Sequence, residues 1–168
     1  WEIEVTGPNR DLHSGHFGGA VANPINTLCS MLAQVIDADG RITIPHFYDD
    51  VEEVPAAERD MIAHIPFDEK KYMEAIGVKA LKGEKGYSTL ERNSCRPSFD
   101  VCGIWGGYTG EGSKTVLPSK AYAKVSCRLV PHQNHEVISK LFVDYINSIA
   151  PEYVQVKVTP MHLSLIHI

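Results

Sequence analysis

The stretch RDLHSGHFGGAVANP, Arg10 to Pro24, sets His13 and His16 three residues apart among glycines 15, 18 and 19. Imidazole can ligate a metal, move a proton, or donate a hydrogen bond to a developing oxyanion. A second pair, His132 and His135, has the same spacing. Two such pairs could be halves of one zinc site, but zinc needs three or four ligands in a tetrahedral array. Neither pair has the i, i+4 spacing of a helical HExxH motif. His132 and His135 therefore read as exposed turn histidines, and no residue of the chain is assigned as a metal ligand. His16 receives no role.

Other polar groupings are weaker. Ser14 beside His13 is adjacency in sequence, which does not supply nucleophile-to-base geometry. The loop GGYTGEGSKT, 106–115, is rich in glycine but lacks the GxxxxGK[ST] spacing. A strand pattern follows it rather than a helix N-terminus, so a hairpin connection fits better than a phosphate cradle. Arg128 lies in the strand pattern KAYAKVSCRLVP on the side opposite the apolar residues, with Thr115 thirteen residues earlier. A guanidinium on an open sheet face suits bidentate capture of a carboxylate; a solvated surface arginine is the alternative. For His13 the alternative is a turn residue held by hydrogen bonds to Asp11 and Ser14.

These groups must be carried by identifiable elements. WEIEVTG alternates apolar and polar residues as a half-buried strand does, and Gly7-Pro8 ends it. Asn23 as N-cap and Pro24 at the first helical position begin a helix with the apolar stripe Ile25, Leu28, Cys29, Leu32 and Ile36, stopped by Gly40. RITIPHF is extended. From about residue 48 to 96 the chain is more charged and carries two short helical patterns, one after Pro55 and one from Asp68 to Gly77. This stretch reads as an inserted helical excursion, because a structureless loop of that length is uncommon. SFDVCGIW is strand-like. KAYAKVSCRLVP places Ala121, Ala123, Val125, Cys127 and Leu129 on one face. Asn134 caps a helix bearing Val137, Ile138, Leu141, Tyr145 and Ile149, and YVQVKVTP is a last strand. Without the insertion the order is strand, helix, strand, strand, helix, strand. That predicts an α+β, ferredoxin-like split βαβ sandwich: a four-stranded antiparallel sheet with both helices on one face.

The 168 residues are 43% hydrophobic and 22% charged, with net charge −5. That composition suits one globular domain, points to neither nucleic acid nor an anionic membrane as partner, and contains no apolar run near the ~20 residues of a membrane span. Cys29, Cys95, Cys102 and Cys127 match no zinc or CxxC spacing. Cys29 and Cys127 are expected as reduced core residues of a cytoplasmic protein. The chain opens on Trp1 inside a strand pattern and is read as part of a longer polypeptide. Its last six residues, 163–168, are similar to the translation of a sequencing-library adapter, with a native strand as the alternative.

RDLHSGHFGGAVANP, together with RPSFDVCGIWGGYTGEGSKTVLPSKAYAKVSCRLVP, resembles the lid, or dimerisation, domain of dinuclear zinc exopeptidases, over residues 1–162. The insertion and its GYSTLERNSCRP segment resemble the carnosinase-like dipeptidase branch; relatives include aminoacylases, carboxypeptidases and succinyl-diaminopimelate desuccinylase. The resemblance implies that two zinc ions are held by a separate catalytic domain whose motifs are missing here, at both ends. It implies that His13 reaches into the other subunit's active site and hydrogen-bonds the scissile carbonyl as water attacks. Arg128 would bind the C-terminal carboxylate of a small peptide substrate, with Thr115 near the same group. The implied whole is a homodimeric zinc dipeptidase, of which this segment alone is inactive. The alternatives are the lid of a zinc N-acyl amino acid deacylase and a free-standing, non-catalytic dimerisation module.

Overall fold

A computed structural model describes residues 1–161; the supposed adapter residues 163–168 lie outside the described residues. The elements in chain order are β1 (Glu2–Thr6), β2 (Leu12–His13), α1 (Ser14–Phe17), α2 (Pro24–Ala33), α3 (Ala56–Ala63) and α4 (Glu69–Ile76). They continue with α5 (Thr89–Ser94), β3 (Ser98–Gly106), β4 (Val116–Leu117), β5 (Lys120–Arg128), α6 (His135–Ser148) and β6 (Gln155–Thr159).

Four strands form one antiparallel sheet in the order β3-β5-β1-β6. Strand β5 thus lies between β1 and β3, and β1 between β5 and β6, the interleaving expected from two βαβ units folded into each other. The inward residues are Ile3 and Val5 of β1, Ala121, Ala123 and Val125 of β5, and Phe99 of β3, all buried. Helices α2 and α6 cover this face with Leu28, Met31 and Leu32 and with Ile138, Phe142 and Ile146. Phe142 stacks against Trp1 and Phe99 at centroid distances of 4.5 and 6.1 Å. The small alanines of β5 leave room for the helices, so the expected α+β sandwich forms with its core on one side of the sheet.

The helix caps fall where the sequence puts them. Asn23 accepts from Ile25 N–H, Asp68 from Lys71 N–H, and Asn134 from Glu136 and Val137 N–H. The buried faces are rotated from the expected stripes. Helix α2 ends at Ala33, turns Thr27, Met31 and Leu32 inward, and leaves Cys29 exposed; Gly40 closes a separate turn after Asp37. The core role expected of Cys29 is therefore wrong, because its side of the helix meets no sheet. Cys127 is packed against the core, and burial pushes its thiol up to about 12. In α6 the centre of the face is Phe142 and Ile146, while Val137 is exposed.

The stretch between Tyr48 and Arg96 is helical, with three helices where two were expected. The third, α5, has a reciprocal capping box between Ser88 and Glu91, legible in the sequence as S-x-x-E. This region is tied down by polar groups. The buried Arg96 guanidinium donates to both oxygens of buried Glu84, Nε at 2.7 Å and Nη2 at 2.8 Å, and lies over the Tyr87 ring, 4.3 Å from its centre. Glu91 is held by Arg59 and by Ser88 N–H, which together bring its carboxyl down to about 2.

Two predictions follow from these ties. Glu84→Ala strands the Arg96 charge and should cost about 3–5 kcal/mol in urea unfolding, and adding Arg96→Met should recover part of that loss. Glu91 is lower in the folded chain than unfolded, so its stabilisation is full above the ordinary carboxylate range and fades as pH falls toward about 2. Wild type and Glu91→Gln should differ near neutral pH and converge on acidification; a pH-independent gap would refute the ion-pair account.

Candidate functional site

His13 is placed by backbone pairing. Strand β2 pairs with β4, Leu12 opposite Leu117 and His13 opposite Val116, and Ser14 N–H donates to Thr115 O at 3.1 Å. Asp11 anchors the same turn: its carboxylate accepts from Ser119 N–H at 2.8 Å and from Ser119 Oγ–H at 2.9 Å. Those bonds hold the Asp11 carboxyl below its ordinary value, the backbone N–H first. Asp11 and Ser14 thus fix the strand that carries His13 and do not bond its ring. Sequence reasoning identified Asp11 as a turn group and missed Ser119, which no spacing signal marks.

The ring itself is held on both nitrogens. Nδ1 accepts from Gly15 N–H at 3.0 Å, making His13 the N-cap of α1, and Nε2 lies 3.1 Å from Thr115 Oγ1. Because Nδ1 is an acceptor, the neutral ring carries its proton on Nε2, which donates to Thr115. A Cβ on Gly15 would sit 2.8 Å from His13 Cε1, so a larger residue there would push the ring from this position. Gly19 takes φ +82, where a side chain would be strained. His16 packs its ring 4.9 Å from that of His13 and is exposed. An open groove of about 550 Å³ runs behind the turn, between Ser14, Asn23, Asn26, Leu117 and Tyr153, with His13 outside it.

Arg128 is elsewhere. It is the last residue of β5, paired with Ser98 at the start of β3, whereas Lys120 at the other end of β5 is opposite Thr6. At ~3.4 Å per residue the two ends are about 27 Å apart. The structure brings Thr115 to His13 and separates both from Arg128, which corrects the expectation that Arg128 and Thr115 share a neighbourhood and that Arg128 is mid-strand. Arg128 is exposed and makes no ion pair with the described residues. Trp1 N donates to Val125 O, and Glu2 pairs with both Lys124 and Thr159, so both ends of the folded unit emerge at the Arg128 end of the sheet.

The second histidine pair is a turn and a helix start. His132 is exposed at φ +74, with Nε2 3.5 Å from Glu52. His135 opens α6 and is half-buried, with Nδ1 enclosed and unpartnered among the described residues, which corrects its assignment as exposed. Among the described residues no three His, Cys, Asp or Glu are grouped to hold a metal. No helix among them is long and apolar enough to cross a membrane.

A sheet with both helices on one face and a rigid histidine turn at one end defines a small α+β lid-like unit. The chain belongs to the M20 peptidase dimerisation domain family, whose model matches residues 1–154. It is similar to the Cys-Gly metallodipeptidase dug1 of Schizosaccharomyces pombe, 32% identical over 89% of this chain and 31% of that protein. Human carnosine dipeptidase 1 superposes with a TM-score of 0.79 at 28% identity, covering 94% of this chain and 35% of that one. A metallo-carboxypeptidase of the M20 family from Sulfolobus solfataricus gives 0.77 at 32% identity, covering 92% and 41%. The chain spans about 30% of the length of the curated relatives it matches. Those relatives are metal-dependent hydrolases, and this chain corresponds to their dimerisation domain.

The tautomer is directly checkable. A long-range ¹H–¹⁵N spectrum of the neutral His13 ring should show the proton on Nε2. Thr115→Val should leave it there, since Gly15 N–H still occupies Nδ1; a Nδ1-protonated ring would refute the arrangement.

Proposed function

We propose that this chain is the lid of a homodimeric, zinc-dependent dipeptidase, residues 1–162 forming the lid and about 48–96 its insertion. One observation carries the reading: His13 with Thr115 and Arg128 sit at opposite ends of one strand, and the chain's connections leave at the Arg128 end. A catalytic domain attached there would have Arg128 of its own lid above it and His13 out of reach. The His13 turn then serves the other subunit's site, and every site draws on two lids.

In this arrangement Arg128 holds the C-terminal carboxylate of a short peptide by a bidentate, charge-assisted contact. The partner's lid brings the Nε2–H of its own copy of residue 13 to the scissile carbonyl oxygen, exchanging Thr115 for the developing oxyanion. That donor is preorganised, because its ring is fixed through Nδ1 before substrate arrives. The zinc would be held by the flanking domain, because the described residues bring no three possible ligands together; bound there it would supply the polarising charge of hydrolysis. The edge strand β3, with Val101, Ile104 and Trp105 exposed along it, is the proposed seam between lids, where two edges can pair. The four unpaired cysteines support a reducing, cytoplasmic setting.

The test uses the full-length enzyme. His13→Ala should lower kcat about 10²–10³-fold. Arg128→Ala should raise KM about 10–100-fold for peptides with a free carboxylate and leave amidated substrates unaffected. Mixing the two impaired homodimers should regenerate one intact site per heterodimer and, at low substrate concentration, raise activity on free-carboxylate peptides above that of either variant alone. Failure of mixed dimers to recover, with subunit exchange verified by mass, would overturn the shared site.

A further inference from the structure

We infer that the outer face of the α3–α4 hairpin is a docking surface for the polypeptide that flanks this segment in its own subunit. The inference rests on the proposal that a further domain adjoins this one.

Helices α3 and α4 bury no residue at all. Each has eight residues, well short of the ~12–15 at which an isolated helix becomes even marginally stable in water, so such helices persist by packing an apolar face. Ile62 of α3 and Tyr72 and Met73 of α4 are half-buried, and the remaining inward links are polar. Arg59 of α3 donates from Nε to Glu91 and from Nη2 to Gly86 O at 2.8 Å, and Glu69 of α4 accepts from Thr89 Oγ1 at 2.7 Å. Five other large apolar side chains of the helices and their flanking turns are open to solvent: Met61, Ile65, Phe67, Ile76 and Val78 are exposed by 65, 51, 36, 52 and 41%. Five large apolar side chains left open within eighteen residues suit a contact surface that takes a partner.

Position selects the partner. The hairpin is anchored to the end of the sheet where β3 begins and β5 finishes. Arg96 lies two residues before β3, Glu52 approaches His132, and Gln133 Nε2 donates to Phe47 O at 2.8 Å just beyond Arg128. Trp1 is bonded at Val125 and Thr159 lies level with Lys124, and from there the start of β1 and the end of β6 both run toward Arg128. The relatives are about three times as long as this chain, and on the proposed reading the remainder joins at these two points. The apolar face of the hairpin is therefore next to the junction, where a domain of the same subunit sits, and far from the His13 end that faces the other subunit. Docked there, the hairpin would also brace the loop behind Arg128.

The experiment places the photo-cross-linker p-benzoyl-phenylalanine in the full-length enzyme, in place of Ile65, of Ile76, or of Glu74 on the opposite side of α4. Photolysis at 65 and 76 should join each to a peptide of the same polypeptide outside residues 1–162, and the product should be lost at 74. Absence of a cross-link at 65 and 76, equal products from all three positions, or a product of doubled subunit mass would overturn the inference. Dipeptide hydrolysis by the unmodified enzyme is measured on the same preparation. Its absence would sink the peptidase proposal alone, whereas active enzyme without the cross-link sinks the docking alone.

Discussion

The register between β1 and β5 constrains everything else. Ile3 is opposite Ala123 and Val5 opposite Ala121, and these four side chains are among the most deeply buried in the chain. Because side chains alternate, a slip of one residue would turn this set to the open face and bring Glu4, Tyr122 and Lys124 into the core. Burying those groups is far costlier than any gain from a shifted turn, so only one register survives. That register sends Arg128 to one end of the sheet and hands Thr115 and Ser119 to the loop at the other. The separation of the two candidate site groups is a by-product of packing the core.

His13 shows how a short segment can be rigid without burial. Its ring is exposed, yet backbone N–H, hydroxyl and paired strand hold it from three directions, and Gly15 gives it space. Preorganisation of this kind is set by covalent proximity and two short-range pairings, and it needs no help from a large hydrophobic contact. Arg128 is the opposite case. It is placed by the strand alone, reaches past the end of the sheet, and gains definition only from whatever meets that end.

The insertion separates polar from apolar duties in an unusual way. Arg96, Glu84, Glu91 and Arg59 supply enclosed or half-enclosed charge contacts that fix where the helices lie, while Met61 and Ile76 remain outside and Ile62, Tyr72 and Met73 are only half-buried. Enclosed ion pairs contribute little net stability but tolerate few alternative arrangements. They orient the hairpin; they do not explain why it stays folded.

The amino-acid sequence by itself determined what depends on neighbours within about four residues. Caps at Asn23, Asp68 and Asn134, the alternation of β1 and β5, and the glycine-flanked histidine turn all follow from backbone hydrogen bonding and side-chain period. The resemblance carried by RDLHSGHFGGAVANP added the family. The capping box of α5 is written in the sequence in the same way, but a six-residue helix adds no periodicity to mark it. Only the tertiary structure decided which sides of α2 and α6 turn inward, exposing Cys29 and burying Phe142. It alone decided that Thr115 meets His13 while Arg128 lies about 27 Å down the strand. Helix rotation and strand register are settled by filling one shared volume with side chains from distant parts of the chain, and no local pattern records that competition.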